Sequence, residues 1–140
     1  MYLLDTNVVS ELRKPKPHGG VLAWLQGIDD AHLFLSAVTI GEIQAGIELT
    51  RAQDEAKAEE IEAWLEMVAN AYNVLPMDAG TFRRWAKLMH GQSDTLYEDA
   101  MIAATAQLNG LTVVTRNVAD FKALGVAVLN PFTRSSARSD

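Results

Sequence analysis

Asp99-Ala100-Met101-Ile102-Ala103-Ala104-Thr105-Ala106-Gln107-Leu108, then Asn109-Gly110, then Leu111-Thr112-Val113-Val114-Thr115, is the stretch whose reading decides the fold. Its first ten residues are alanine-rich and apolar on nearly every side of a helix, so that helix belongs in the interior. Asn-Gly is a natural helix stop, because glycine enters the left-handed region without penalty. Leu111 to Thr115 reads as a short central strand without polar alternation, the pattern of a strand covered on both faces.

The same alternation runs outward from this unit. Residues 2–4 are apolar and end in Asp5-Thr6-Asn7, a strand followed by a helix start that Val8, Val9 and Leu12 continue. Pro15 and Pro17 break that helix. Val21, Leu22, Trp24, Leu25 and Ile28 suit an amphipathic helix, and Leu33 to Leu35 a second strand. Thr39 begins a helix carrying Ile40, Ile43 and Ile47, and Asp54 a longer one with Ile61, Trp64, Leu65 and Val68 at helical spacing. Asn73-Val74-Leu75 is a third strand closed by Pro76, and Asp78 caps a helix running to about Met89. Ala127 to Leu129 is the last strand. Strands alternating with helices predict parallel βαβ units, hence an α/β fold with helices on both faces of the sheet. Residues 1–132 read as a single domain, and residues 133–140 as a Ser- and Arg-rich disordered tail.

The chain has 140 residues and is 49% hydrophobic, enough for one sizeable core. It has no cysteine, which excludes a disulfide framework or a thiolate metal site and fits a cytoplasmic location. The first residues do not read as a signal peptide, and no apolar run reaches transmembrane length, so no membrane role is expected. The net charge of −6 argues against non-specific nucleic-acid binding by the whole surface. No HExxH, GxxxxGK[ST], GxGxxG or GxSxG pattern occurs, which leaves zincin, P-loop, dinucleotide and serine-nucleophile chemistry unsupported.

Four acids stand at ends of core segments: Asp5, Glu42, Asp99 and Asp120. Three of them follow predicted strands, where α/β sheets bind their ligands. Each has a plain structural reading. Asp5-Thr6-Asn7 caps a helix. Thr39-Ile40-Gly41-Glu42 fits a capping box. Asp99 complements a helix dipole, and Asn117 and Asp120 are ordinary turn residues. Taken together they suggest more. Carboxylates gathered in one place repel one another, and a hard divalent cation relieves that repulsion. Thr6, Asn7, Thr115 and Asn117 are the polar helpers nearby. This pattern points to a metal-dependent enzyme acting on phosphate.

Leu4-Asp5-Thr6-Asn7-Val8-Val9-Ser10-Glu11-Leu12, Leu35 to Ile43, Asp99 to Ala106 and Thr115 to Phe121 together resemble the four acidic motifs of the PIN-domain ribonucleases, specifically the VapC-type toxins of bacterial toxin–antitoxin pairs. Leu129-Asn130-Pro131-Phe132 is similar to a usual ending, and Val38-Thr39-Ile40-Gly41-Glu42 to the FitB-like branch. The resemblance covers nearly the whole chain. It implies a three-layer α/β/α fold on a five-stranded, mostly parallel sheet. It also implies an endoribonuclease using Mg²⁺ or Mn²⁺ held by Asp5, Glu42, Asp99 and Asp120. Partners implied are an RNA substrate, a cognate antitoxin that occupies the site, a homodimer, larger assemblies with the antitoxin, and operator DNA reached only through it. One departure is Asp94-Thr95-Leu96-Tyr97-Glu98, where relatives usually carry prolines and apolar residues.

RNA must approach an acidic protein, and Arg13, Lys14 and Arg116, near the first and fourth motifs, are the expected phosphate contacts. Arg83, Arg84 and Lys87 read as solvated charges. Trp24, Leu25, Trp64 and Leu65 fit either an antitoxin groove or plain packing. The competing functions are a DNA-directed metal-dependent nuclease, a catalytically weak partner in an operator-binding complex, and a phosphoacceptor receiver-like domain. The last of these lacks its paired acids and its lysine.

Overall fold

The computed structural model describes residues 1–133; the remaining expected tail, 134–140, lies outside the described residues. Five short strands form one sheet: β1 (Tyr2–Leu4), β2 (Leu33–Ser36), β3 (Asn73–Leu75), β4 (Thr112–Val114) and β5 (Val128–Leu129). Their order is β3-β2-β1-β4-β5 and every pairing is parallel. The chain thus builds outward from β1 on one side, then crosses to β4 on the other. The topological switch point lies between β1 and β4.

The strand pleat explains the two cores. Leu3 of β1 and Val113 of β4 point to one face, where they meet Ala100, Ile102 and Ala103 of α6 (Tyr97–Asn109) and Phe121 of α7 (Val118–Ala123). Leu4 and Val114 point to the other face. There they meet Val8 and Val9 of α1 (Thr6–Glu11), Val21 and Trp24 of α2 (Gly19–Gln26) and Val68 of α4 (Glu55–Ala71). α3 (Ala37–Arg51) and α4 form a hairpin around Ile47, Ala58, Ile61 and Leu65. α5 (Ala79–Met89) lies on the α6 side, with Trp85, Leu88 and Met89 against that core. The three-layer α/β/α architecture read from the sequence is therefore present.

Local chemistry sets the boundaries. Ser36, Asp54 and Asp78 cap α3, α4 and α5 by accepting the Val38, Lys57 and Thr81 amides at 3.1, 3.0 and 2.9 Å. Gly110, at φ +64°, ends α6 in the left-handed conformation, as Asn109-Gly110 predicts. Several boundaries differ from the sequence expectation; α6, for one, starts at Tyr97 rather than Asp99. α3 starts at Ala37 rather than Thr39, because the buried Ser36 supplies the cap. Asn117 and Asp120 belong to a short helix, α7, rather than to a turn. Thr133 lies in a closing 3₁₀ turn, its hydroxyl donating to the Asn130 carbonyl at 2.9 Å. Among the described residues, no helix is long and apolar enough to cross a membrane.

Candidate active site

The switch point ends in two residues that the sheet register places side by side. Leu4 pairs with Val114, so Asp5 and Thr115 leave neighbouring strands together. The Asp5 amide still donates to the Val114 carbonyl at 2.9 Å, which fixes the carboxylate at the sheet edge. Asp5 is buried, and each of its two oxygens accepts hydrogen bonds. Oδ1 accepts the Thr6 amide at 2.8 Å; Oδ2 accepts the Thr115 hydroxyl at 2.8 Å and the Asn7 side-chain amide at 3.0 Å. Thr115, also buried, accepts the Asn117 amide at 2.9 Å. Asn7 reaches back to accept the Arg116 amide at 3.3 Å. First and fourth motifs are stitched together by these bonds.

Glu42 arrives from α3. The capping box expected between Thr39 and Glu42 does not form, because Ser36 already caps the helix. Glu42 instead accepts the Thr6 hydroxyl at 2.7 Å, and Thr6 also contacts the buried Thr39 hydroxyl at 3.1 Å. Thr6 therefore ties the second motif to the first. Asp99 sits in the first turn of α6 and Asp120 in the first turn of α7, both without a side-chain hydrogen bond among the described residues.

These acids share an electrostatic field. Desolvation pushes the Asp99 carboxyl up to about 6, assisted by the charges of Asp5, Asp120, Glu42 and Glu98. Desolvation also raises Asp5, against the hydrogen bonds from Thr115, Thr6 and Asn7 that favour its charged form. Glu42 is raised by desolvation and by the charges of Asp5 and Glu98, despite the opposing Thr6 bond. Among the described residues, no lysine or arginine forms an ion pair with any of the four. The donor set is all oxygen and anionic, which suits a hard divalent cation. As they stand, no three acidic or histidine side chains among the described residues converge to hold an ion.

The expected cations fare differently. Lys14 is paired with the buried Glu11 at 2.9 Å, and Glu11 also accepts the His18 amide at 2.7 Å. Arg116 lies over the Phe132 ring, 3.9 Å from its centre. Arg13 is exposed and has no ion pair among the described residues. Trp24 and Leu65 are core residues, Trp24 standing edge-on to Tyr2 at 4.9 Å, so the groove reading loses both. Sequence reasoning missed the buried Glu11, whose local context reads as an exposed first-helix end. It also missed α7, although Val118, Phe121 and Leu124 recur at threefold spacing.

Comparison with known proteins bears on the family and the fold. The PIN domain family model matches residues 2–126. The chain is 37% identical to plasmid stability protein StbB of Pseudomonas syringae pv. tomato, over 94% of this chain and 99% of that protein. It is 37% identical to a VapC ribonuclease of Sinorhizobium fredii, over 94% and 98%. Toxin FitB of Neisseria gonorrhoeae is 36% identical over 94% and 99%. The crystal structure of FitAcB from Neisseria gonorrhoeae superposes with a TM-score of 0.83 at 35% identity, covering 94% of this chain and 99% of that one. FitAB bound to a DNA fragment gives 0.82 at 34%, covering 94% and 96%. The chain belongs to the PIN domain family.

Proposed function

We propose that this PIN domain is the toxin of a toxin–antitoxin pair and that it hydrolyses RNA phosphodiester bonds with a bound divalent cation, Mg²⁺ or Mn²⁺. The carrying observation is the gathering of Asp5, Glu42, Asp99 and Asp120 at the β1–β4 edge, where desolvation first, and then the charges of Asp5, Asp120, Glu42 and Glu98, raise Asp99 to about 6. Such mutual repulsion destabilises the empty site, and a cation relieves it. Asp5, Asp99, Asp120 and Glu42 are the residues that would hold the ion. When bound, the metal lowers the pKa of water and neutralises charge on the scissile phosphate.

The chain's own residues prepare that site. Thr115 and Asn7 hold the Asp5 carboxylate in one rotamer, and Thr6 does the same for Glu42, so two acids are fixed before substrate arrives. Glu42 and Asp99 would also orient the attacking water. The products are a 5′-phosphate and a 3′-hydroxyl. Arg13 is the cation best placed to meet a substrate phosphate, because Lys14 and Arg116 are engaged elsewhere.

A cognate antitoxin as inhibitor is supported by the names of relatives solved as toxin–antitoxin complexes. The 34% identical FitAB structure contains a DNA fragment, which supports operator binding by the antitoxin-bound complex as a second role. A homodimer, larger assemblies with the antitoxin, and a cytoplasmic location complete the reading. The test is cleavage of cellular RNA by the purified chain, with Mg²⁺, Mn²⁺ and EDTA in parallel. Metal-dependent cutting is expected; cutting that persists in EDTA overturns the mechanism.

A further inference from the structure

A trough leads away from the acidic corner between α1, α3 and α4. It has a volume of about 300 Å³ and is walled by Thr6, Ser10, Arg13, Glu42, Gly46 and Trp64, among others. Thr6 and Glu42 belong to the acidic site, so the trough opens directly from it. Glu42, Gly46 and Thr50 are spaced four apart on α3 and form one stripe along its floor. Eight helical residues rise about 12 Å, so the stripe carries the trough well beyond the acids. A second recess of about 310 Å³ adjoins it, sharing Arg13, Ile61 and Trp64 and adding Lys57 and Glu60, themselves paired at 2.8 Å.

Gly46 decides how this space is read. It sits in the interior of α3, where glycine weakens a helix. Its backbone does not need glycine, since its φ is not positive, and a Cβ built there meets nothing within 4 Å. What the missing side chain does provide is room in the trough. The lining chemistry matches a single-stranded nucleotide. It offers an indole for a base, an arginine without an ion pair among the described residues for a phosphate, and the Ser10 hydroxyl for a sugar.

We propose that this trough seats the nucleotide flanking the scissile phosphate, with its base against Trp64 and its phosphate at Arg13, and that Gly46 sets which bases enter. The assignment rests on the ribonuclease reading above. It is tested with a fluorescein-labelled pool of random single-stranded oligoribonucleotides. Anisotropy in Mg²⁺ measures binding in an Asp5→Asn background, where the pool is not cut. End-mapping measures base preference in the otherwise wild-type chain. Gly46→Leu, whose Cβ meets nothing within 4 Å, puts a side chain into the trough and is expected to weaken binding about tenfold and change the base preferred beside the cut. Trp64→Ala is expected to weaken binding similarly, the loss of about one base stack, while Trp64→Phe retains most of it. Ala45→Leu, exposed one position earlier on the same helix, controls for the added side chain and keeps wild-type binding. Circular dichroism checks that each variant is folded. Folded Gly46→Leu and Trp64→Ala variants with wild-type binding and base preference overturn the assignment while the ribonuclease reading stands. A wild-type chain that cuts no RNA overturns both.

Discussion

Replacing Asp99 by Asn removes one negative charge from the acidic corner and barely changes side-chain size. The Asp99 carboxyl is raised from 3.8 to about 6, chiefly by desolvation and then by Asp5, Asp120, Glu42 and Glu98. A shift of that size corresponds to about 3 kcal/mol if taken in full. Asp99 is only partly buried, so solvent and salt reduce the effect to about 1 kcal/mol. The sign follows from the direction of the shift. A carboxyl raised in the folded state favours the fold when protonated and works against it once ionised. The ionised penalty develops as pH rises from about 4 to about 6 and is complete above that. Asp99→Asn, which never ionises, is therefore expected to melt about 3–5 °C above wild type at pH 7.5 in EDTA. The difference shrinks below pH 6 and vanishes near pH 4. Adding Mg²⁺ raises the wild-type melting temperature more than that of the variant, because the variant has lost a ligand. Differential scanning fluorimetry across pH, with and without metal, reads all of this. A variant that melts below wild type in EDTA at pH 7.5 would refute the repulsive cluster.

Thr115→Val removes the hydroxyl that donates to Asp5 at 2.8 Å and accepts the Asn117 amide at 2.9 Å. Unfolding in urea should show a loss of about 1–3 kcal/mol, and cleavage should fall about 10–100-fold; unchanged cleavage would show that Asp5 needs no such support. Phe121→Ala empties a fully buried position between α6 and the sheet and should cost about 3–5 kcal/mol by the same assay. Glu11 is held below the usual carboxylate range first by its Lys14 bond, so its stabilising effect is present at neutral pH and lost as pH falls through that lowered value. The stability gap between wild type and Glu11→Gln should accordingly be constant near neutral pH and close below about pH 4; a gap independent of pH would exclude the ion pair as its source.

What the sequence made legible was local. The buried α6 helix, its Asn109-Gly110 stop and the β4 strand could be read because composition and a single turn residue specify them within one segment. Asp5 at the end of β1 followed from the same logic. Features that depend on distant partners were not legible. Glu42 read equally as a site acid and as one half of a capping box, and the choice was made only by Ser36, which took the cap, and Thr6, 36 residues away, which took the carboxylate. Lys14 and Arg116 looked like free cations until the fold supplied Glu11 and the Phe132 ring. Trp24 and Trp64 have similar local patterns, yet one is in the core and the other walls a trough. No periodicity distinguishes them, because the difference is made by which helix packs above.

The proposed hydrolysis needs Asp5, Glu42, Asp99 and Asp120 to act as one metal-dependent site. Its most direct test is cleavage of mixed cellular RNA by antitoxin-free protein with Mg²⁺, with Mn²⁺ and with EDTA, beside folded Asp5→Asn and Asp99→Asn variants. Wild type is expected to cut in either metal, leaving 5′-phosphate ends on the products, with no cutting in EDTA or by either variant. Wild-type activity in EDTA, or full activity in either variant, would contradict it.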